Sequence, residues 1–325
     1  MSASETRIPH ALDENLRLPA ICAPMFLVSG PALVIATCQA GMIGSFPGPN
    51  CRTIDDLDAW MKQITTALGP SDAAWAFNMV THSSYPRFEA ELALVKTYQP
   101  PLVVTALGGP GRVVEAVHSY GGTVFADVNS VAFARKAVAA GADGLVLVCA
   151  GAGGHTGTLT NVAFVEAVRD FFDGPLAVAG GISTGAGIAA VRAMGADFAY
   201  IGTAFIPASE SLAQDEYKAM VIDASAADLQ VSASITGVPA SWMRASLEAN
   251  GLDPDNMPAK GAVIFNDPSQ LAKGWRDVWS AGQGVGAIHA VEPVAAIVER
   301  LAAGFAGRQE PWLAARQLET AQDLA

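Results

Sequence analysis

The sequence predicts an α/β protein: a (β/α)8 barrel, or TIM barrel, with a mostly helical C-terminal extension that covers the barrel mouth. Short apolar runs alternate with segments of helical spacing, and these pairs number eight. Most of the runs are too apolar to leave one face in water, which is typical of parallel strands covered on both sides. Several predicted helices end on a glycine just before the next strand, as helix C-terminal caps do. An open, doubly wound sheet is the alternative arrangement of the same elements.

Strands and helices alternate from residue 20 to residue 224. The predicted strands cover residues 20–25, 42–46, 75–80, 102–107, 123–128, 144–150, 176–181 and 198–205. The predicted helices cover residues 31–39, 54–68, 87–98, 112–120, 131–140, 162–172, 186–194 and 210–224. The capping glycines are Gly41, Gly121, Gly141 and Gly195. Two of them open a Gly-Ala-Asp phrase, at residues 141–143 and 195–197, which indicates an internally repeated unit.

The pattern changes after residue 224. Strand-like runs become rare, and helical spacing returns at residues 242–248 and 293–303. We predict two parts: residues 1–224 form the barrel, and residues 225–325 form a helical substrate or lid region packed back onto it. From about residue 308 the chain is predicted to be a peripheral helix or tail.

Composition and charge limit the protein class. A chain of 325 residues with 51% hydrophobic residues can bury a large core. No apolar stretch approaches the roughly 18 residues that span a bilayer, and the N-terminus lacks a secretory signal pattern. The four cysteines show no CxxC spacing, which fits a reducing cytoplasm. A net charge of −12 disfavours nucleic acid and anionic membranes as partners, so we expect a cytoplasmic protein with a small-molecule substrate.

Three successive predicted strands end in glycine. The first leads into the segment AGAGGHTG at residues 150–157, which carries His155, and the next two end at Gly180-Gly181 and at Gly202-Thr203. Glycine at a strand end lets a flat or phosphorylated ligand approach the backbone. In a barrel, phosphate is commonly held by the loops after strands seven and eight, where the last two glycine phrases fall. His155 is the candidate acid–base residue beside these glycine-rich strand ends.

The residues that are missing narrow the chemistry further. No lysine falls at a predicted strand end, where a Schiff-base enzyme would need it. No HxH phrase or pair of acids stands at the strand ends, so metal hydrolysis and glycoside hydrolysis are not supported, and no metal is expected. One histidine among many glycines indicates that a cofactor supplies the chemistry. Flavin mononucleotide (FMN) fits, because it has one phosphate and a flat ring.

The chain resembles the nitronate monooxygenase (2-nitropropane dioxygenase) family of FMN enzymes, which is related to the FabK-type enoyl-ACP reductases. The resemblance runs from AICAPM at residues 20–25 to WSAGQGVG at residues 279–286. It is carried by AGAGGHTG with His155, VAGGIS with Gly180 and Gly181, YIGTAF with Gly202 and Thr203, and FNM with Asn78. The resemblance implies oxidation of alkyl nitronates, and of nitroalkanes in some cases, with O2 to a carbonyl compound and nitrite.

The resemblance also implies roles for individual residues. It places Ala23, Pro24, Met25 and Asn78 along the flavin ring, the glycines of strands seven and eight on the phosphate, and Gln283 and Gly284 over the site. Ala150, Gly153, Gly154 and Asp127 complete the predicted cofactor-binding set. Asp127 is a departure, because some bacterial relatives carry a lysine there, and a carboxylate would oppose the negative charge of a reduced flavin.

Three further residues are candidate substrate contacts: His82, Tyr85 and Trp242. For each, a structural role in a loop or in packing is the alternative. An NAD(P)H-dependent enoyl-thioester reductase with the same cofactor is the nearest alternative function, and a flavin-binding barrel without turnover is a distant one. The sequence leaves the natural substrate and the oligomeric state open.

Overall fold

Eight parallel strands close into a barrel in the computed structural model, which describes residues 7–258 and 276–322. The strands in barrel order are β1, β9, β8, β6, β5, β4, β3 and β2, and a parallel bridge between Ile21 and Ile43 joins the last strand to the first. Every ladder between them is parallel. The (β/α)8 prediction is therefore confirmed, and the open-sheet alternative is excluded.

The strands are short and the helices surround them. The barrel strands are β1 (Ala20–Cys22), β2 (Gly44–Pro47), β3 (Trp75–Val80), β4 (Leu102–Ala106), β5 (Thr123–Val128), β6 (Gly144–Val148), β8 (Leu176–Ala179) and β9 (Phe198–Ile201). The helices up to residue 223 are α1 (His10–Asp13), α2 (Pro31–Gln39), α3 (Ile54–Ala67), α4 (Phe88–Tyr98), α5 (Val114–His118), α6 (Val131–Ala139), α7 (Asn161–Arg169), α8 (Gly185–Ala193) and α9 (Asp215–Asp223). Three short 3-10 turns accompany them at Gly48–Asn50, Pro110–Arg112 and Thr203–Phe205.

The predicted helix caps and the repeated phrase both have a physical role. Gly41, Gly121, Gly141 and Gly195 take φ angles between +80° and +98°, the left-handed region that ends a helix. In each Gly-Ala-Asp phrase the aspartate then fixes the neighbouring strand. Asp143 Oδ2 accepts the N–H of Val124 at 2.8 Å, and Asp197 Oδ2 accepts the N–H of Leu176 at 2.9 Å. The repeated Gly-Ala-Asp sequence therefore marks the same helix-to-strand connection in two βα units.

Several predicted elements prove shorter than expected. The strands predicted over 144–150, 176–181 and 198–205 end at Val148, Ala179 and Ile201, and the residues beyond them form loops or a 3-10 turn. Gly180 and Gly181 leave the ladder because their φ angles are +130° and +70°, which no strand residue adopts. The helix predicted over 210–224 begins only at Asp215. These differences place the glycines in the loops at the barrel mouth.

The extension contains a small antiparallel sheet that the sequence did not predict. Its strands are β10 (Leu229–Ser232), β11 (Ala240–Met243) and β7 (Gly154–His155), in the order β10-β11-β7. The helix predicted over 242–248 is therefore wrong at its start, because Trp242 lies on β11 and α10 spans Arg244–Ala249. A 3-10 turn (Gln283–Ala287) and the long helix α11 (Val294–Gln322) complete the extension.

The extension and the barrel share one core. Val294, Ile297, Val298 and Leu301 of α11 are buried in the same apolar cluster as Leu147 and Val178 of the barrel strands. A second set of side chains points inward from the strands, and in it the rings of Phe125 and Phe198 lie 6.2 Å apart across the barrel. Within the described part of the chain, no helix is long and apolar enough to cross a membrane. The boundary at residue 224 stays a prediction.

Candidate functional site

The carboxyl ends of all eight strands lie at one mouth of the barrel, because the strands are parallel. The predicted cofactor residues of the barrel lie on or directly after these ends: Ala23, Pro24, Met25, Asn78, Asp127, Ala150, Gly153, Gly154, Gly180, Gly181, Gly202 and Thr203. The fold thus brings together a set that spans about 180 positions of sequence. Active sites of such barrels occupy this face.

Gly151 connects three segments of the chain at the barrel mouth. Its carbonyl accepts the N–H of Gly181 at 3.1 Å and the N–H of Gln283 at 2.9 Å. Its φ angle is +86°, and a Cβ there would lie 2.8 Å from the side-chain oxygen of Gln283. The glycine-rich segment, the loop after β8 and the extension are therefore locked to one another.

Gly282 and Gly284 lie directly on the barrel loops. The N–H of Gly282 donates to Thr203 Oγ1 at 2.9 Å, which leaves the hydroxyl proton of Thr203 available to a ligand. A Cβ on Gly284 would collide with Ser183 Oγ and approach the carbonyl of Gly181 to 3.0 Å. The approach of these backbones requires glycine, and it explains the Gly-rich phrase at 280–286.

His155 belongs to the two-residue strand β7, so its backbone is held by the extension. His155 pairs with Ala240 of β11, and the next residue, Thr156, donates its N–H to the carbonyl of Pro239 at 3.1 Å. The Thr156 hydroxyl donates to the carbonyl of Cys149 at 3.2 Å, which ties the same segment to the end of β6. Burial lowers the pKa of His155 below its usual 6.5, so the imidazole is neutral at pH 7.

The loop after β1 is held by a residue from the next βα unit. Asn50 accepts the N–H of Leu27 at 2.8 Å and donates to the carbonyls of Met25 at 3.0 Å and Ser29 at 2.7 Å. Leu27 has a φ angle of +59°, a left-handed conformation that costs a leucine energy and that the Asn50 bonds maintain. Met25 is thereby set beside Gly202, where a Cβ would lie 3.4 Å from the Met25 sulfur.

Asn78 and Asp127 project into the barrel from β3 and β5. The side-chain amide of Asn78 donates to the carbonyl of Val104 at 3.1 Å, which fixes its orientation. Asp127 is half-buried, and burial raises the pKa of its carboxyl group to about 7. Within residues 7–258 and 276–322, no group of His, Cys, Asp and Glu side chains is placed to hold a metal ion.

Comparison with known proteins identifies the family. The family model of nitronate monooxygenase matches residues 70–304, which is most of the chain. The chain belongs to the nitronate monooxygenase family. Its members are oxidoreductases and generally depend on a flavin.

Individual nitronate monooxygenases and their structural neighbours resemble the chain over most of its length. The nitronate monooxygenase of Paraburkholderia phytofirmans is 30% identical over 280 residues, covering 73% of this chain and 76% of that protein. The nitroalkane oxidase of Streptomyces ansochromogenes superimposes with a TM-score of 0.78 at 27% identity, over 93% of this chain and 99% of that one. FabK of Thermotoga maritima gives a TM-score of 0.78 at 25% identity, over 96% and 99%.

The mouth fits the flavin of a nitronate monooxygenase. Asp127 Oδ1, Ser183 Oγ and the Tyr200 hydroxyl are buried and have no hydrogen-bond partner among the described residues. Buried polar groups are nearly always paired, so three such atoms at one mouth indicate a polar ligand. A Cβ on Gly181 would meet nothing within 4 Å, which marks open space beside the loop after β8. The Gly181 N–H is already used by Gly151, so this residue offers space rather than a donor.

The structure separates the three candidate substrate contacts. His82 follows β3 at the mouth, and its Nδ1 lies 2.8 Å from Ser84 Oγ and 3.3 Å from the Ser84 backbone nitrogen. Tyr85 instead donates its hydroxyl to Glu91 Oε1 at 2.7 Å, beside Arg87, in a buried ion-pair cluster. Trp242 has no accessible surface and donates its ring N–H to the carbonyl of Ser232 at 3.2 Å. Trp242 therefore packs inside the extension.

Three residues of this site were missed by sequence reasoning: Asn50, Ser183 and Tyr200. Asn50 ends the short 3-10 turn after β2 and belongs to no recognisable sequence pattern. Ser183 belongs to the phrase VAGGIS, so its position two residues after Gly181 was an available signal. Tyr200 could also have been predicted from the sequence. It lies two residues after Phe198 on an apolar strand, so its side chain points into the barrel as that of Phe198 does.

Proposed function

We propose that this chain is an FMN-dependent nitronate monooxygenase, which oxidises alkyl nitronates with O2 to a carbonyl compound and nitrite. The position of His155 carries the proposal. Its neutral ring stands on β7 at a barrel mouth bordered by Gly151, Gly181 and Gly202, and the extension fixes its backbone. Membership of the nitronate monooxygenase family supports the same reaction class.

The proposed cofactor contacts follow from the chemistry of each segment. Ala23, Pro24 and Met25 offer an apolar edge to the ring, and Asn78 offers an amide held in place by Val104. The loops at Gly180 and Gly202 border the phosphate, where the hydroxyls of Ser183 and Thr203 are the donors in reach. Ala150, Gly153 and Gly154 would border the ring from the segment after β6, where Gly153 packs against the backbone of Gly282, and Gln283 and Gly284 would cover it from the extension.

The bound flavin supplies electron transfer from the nitronate to O2. The protein supplies the geometry and the proton handling. Gly282, Gln283 and Gly284 close over the loops of the barrel and exclude water from the mouth. The lowered pKa keeps His155 neutral, so it can accept the α-proton of a nitroalkane. A nitronate arrives already deprotonated and requires no base.

The proposal is tested by the cofactor and the reaction together. The released chromophore should co-migrate with FMN rather than FAD. Purified protein should consume O2 and produce nitrite on addition of an alkyl nitronate. A colourless protein that takes up no flavin on reconstitution would overturn the proposal.

The structural likeness to FabK favours one second candidate, an NAD(P)H-dependent enoyl-thioester reductase. The two candidates differ in the electron donor. Under anaerobic conditions, rapid bleaching by a nitronate with indifference to NADH supports the monooxygenase. Bleaching by NADH, followed by reoxidation with an enoyl thioester, supports the reductase.

A further inference from the structure

Two buried polar groups face the interior of the barrel at the level of the mouth. Asp127 on β5 has one oxygen, Oδ1, that is buried without a hydrogen-bond partner among residues 7–258 and 276–322. The hydroxyl of Tyr200 on β9 is likewise buried and has no hydrogen-bond partner among these residues. Leaving a buried donor or acceptor unpaired destabilises the fold, so such groups are nearly always paired in native proteins. The unpaired Asp127 oxygen and Tyr200 hydroxyl therefore indicate that a ligand binds beside them.

Strand register shows that the two side chains share one side of the strands. Phe125 and Phe198 meet in the barrel interior with their ring centroids 6.2 Å apart and their planes tilted by 60°. Asp127 and Tyr200 each follow two residues later on the same strands, so they point inward one layer nearer the mouth. The charge of Asp127 contributes to raising the pKa of the Tyr200 hydroxyl, after burial, which agrees with their closeness.

No cation faces Asp127 from the surrounding strands. The inward residues at this level of the barrel are Ala23, Ser45, Asn78, Ala106, Val148 and Ala179, and none of them carries a charge. The other titratable groups nearby are Tyr200 and the buried thiol of Cys22, which carries no positive charge in either state. His155 contributes no stabilising charge either, because burial keeps it neutral. An ionised Asp127 would therefore be uncompensated, and the pKa of the carboxyl group is raised to about 7 by burial alone.

We propose that Asp127 binds the flavin as a protonated carboxylic acid, donating a hydrogen bond to the polar edge of the ring, with Tyr200 as a second donor. This inference rests on the proposed function. The flavin ring accepts hydrogen bonds at its two carbonyl oxygens and at N1 and N5, positions that repel a carboxylate, and it donates only from N3. Flavin binding is then linked to one proton, which the complex holds and the free protein releases as pH rises.

The sign of the linkage follows from that proton. A bond that only the acid form can make raises the pKa of Asp127 above 7 in the complex. Flavin affinity is then constant well below pH 7 and falls as pH rises from 7 to the higher pKa of the complex. Loss of one such neutral hydrogen bond corresponds to a loss of affinity on the order of tenfold, or about 1.4 kcal/mol.

The experiment measures the Kd of added FMN for the flavin-stripped full chain between pH 6 and pH 9, by quenching of flavin fluorescence. We expect the Kd of the wild type to rise on the order of tenfold across pH 7–8.5. Asp127→Asn keeps a neutral donor of the same shape and should bind FMN with a smaller pH dependence. The phosphate of FMN also titrates, and it does so equally in both proteins, so the difference between the two curves isolates Asp127.

Two further variants distinguish a specific effect of Asp127 on the pH dependence of FMN binding from a general effect of substitutions in the site on folding. Tyr200→Phe should weaken FMN binding several-fold at every pH while it keeps the wild-type slope, since only one neutral donor is lost. His155→Asn should also keep that slope, because burial lowers the pKa of His155 below 6.5 and leaves its ring neutral above pH 7, where the Kd is expected to rise. Parallel pH curves for the wild type and Asp127→Asn would overturn the inference and leave the proposed function standing. Failure to bind flavin at any pH would overturn both.

Discussion

His155 pairs with Ala240 across an antiparallel ladder, so the extension orients the histidine that the barrel supplies. The two residues are 85 positions apart in sequence, so residues from both the barrel and the extension form the barrel mouth. Gly151 reinforces the joint through the hydrogen bond that it accepts from Gln283. The position of His155 and the closure of the barrel mouth therefore depend on the same contacts.

Replacing the histidine should separate two substrates. His155→Asn should lower turnover of a neutral nitroalkane by on the order of 10²–10⁴, the usual contribution of a general base. Turnover of the preformed nitronate should fall much less, because no proton has to be removed. Steady-state rates on a nitroalkane and its nitronate, normalised to flavin content, measure both effects.

His289→Asn is the matched control, since His289 is exposed in the extension and borders the start of α8 rather than lying on β7. It should change neither rate. Equal, modest losses on both substrates in His155→Asn would instead assign His155 to holding its own loop.

The pH profile of nitroalkane turnover should reflect the lowered pKa of His155. Because burial depresses this pKa below 6.5, the base is neutral over a wider range than a free histidine. We expect kcat/KM for a nitroalkane to rise with pH along a limb that lies below 6.5 and to level off above it. The nitronate should show no such limb. A break above pH 7 that disappears in Asp127→Asn belongs to that carboxyl group, whose pKa the bound flavin raises, whereas a limb centred above 6.5 that survives in Asp127→Asn contradicts the assignment to His155.

A carboxylate placed beside the phosphate should expel the cofactor. Gly202→Asp and Gly181→Asp should each lower flavin occupancy on the order of tenfold or more, through like-charge repulsion at close range. Gly202 has a φ angle of −104°, so its substitution carries no left-handed strain. Occupancy is read from the ratio of flavin absorbance to protein absorbance after purification.

Gly181 needs a control for backbone strain, because its φ angle is +70°. Gly251 has a φ angle of +73° and equally open space around it, but it follows α10 in the extension. Gly251→Asp should cost similar stability by thermal melting and retain the flavin. Full flavin occupancy in both Gly181→Asp and Gly202→Asp would show that the phosphate lies elsewhere.

The sequence was sufficient for the barrel because the signals for the barrel are local. Apolar runs such as Trp75–Val80, and glycine caps such as Gly141, depend on neighbours within a few positions. The loops with Gly180 and Gly202 were readable for the same reason. Their place at the mouth follows from barrel geometry alone.

The sequence did not reveal what depends on distant partners. Strand β7 has two residues and no periodicity, so only its pairing with Ala240 defines it. Tyr85 looked like a mouth residue until its hydroxyl proved to be bound by Glu91. Trp242 resembled the start of a helix, but it packs with Leu247 and Val278 in a core of the extension. In each case tertiary contacts override a local pattern.

Strain at the end of β4 gives a last prediction. Leu107 follows β4 at the mouth with a φ angle of +55° and is 37% exposed, which costs a leucine roughly 1–2 kcal/mol. The next residue explains the geometry: a Cβ on Gly108 would lie 2.6 Å from the backbone carbon of Thr81, so the β4 loop is pressed onto the β3 loop. Strain of this kind persists where function requires it. We expect Leu107 to contact the alkyl part of the substrate.

Leu107→Gly should therefore raise thermal stability and impair substrate binding together. Glycine adopts this conformation without steric cost, so the melting temperature should rise by about 1–3 °C. The KM for long-chain nitronates should increase several-fold, while that for the shortest should change little. Gln99→Gly is the matched control, because Gln99 has a φ angle of +48° at the end of α4, at the opposite end of the barrel. It should give the same rise in melting temperature with unchanged KM values. If Leu107→Gly leaves KM independent of chain length, the strained leucine serves only the packing of Gly108 against Thr81.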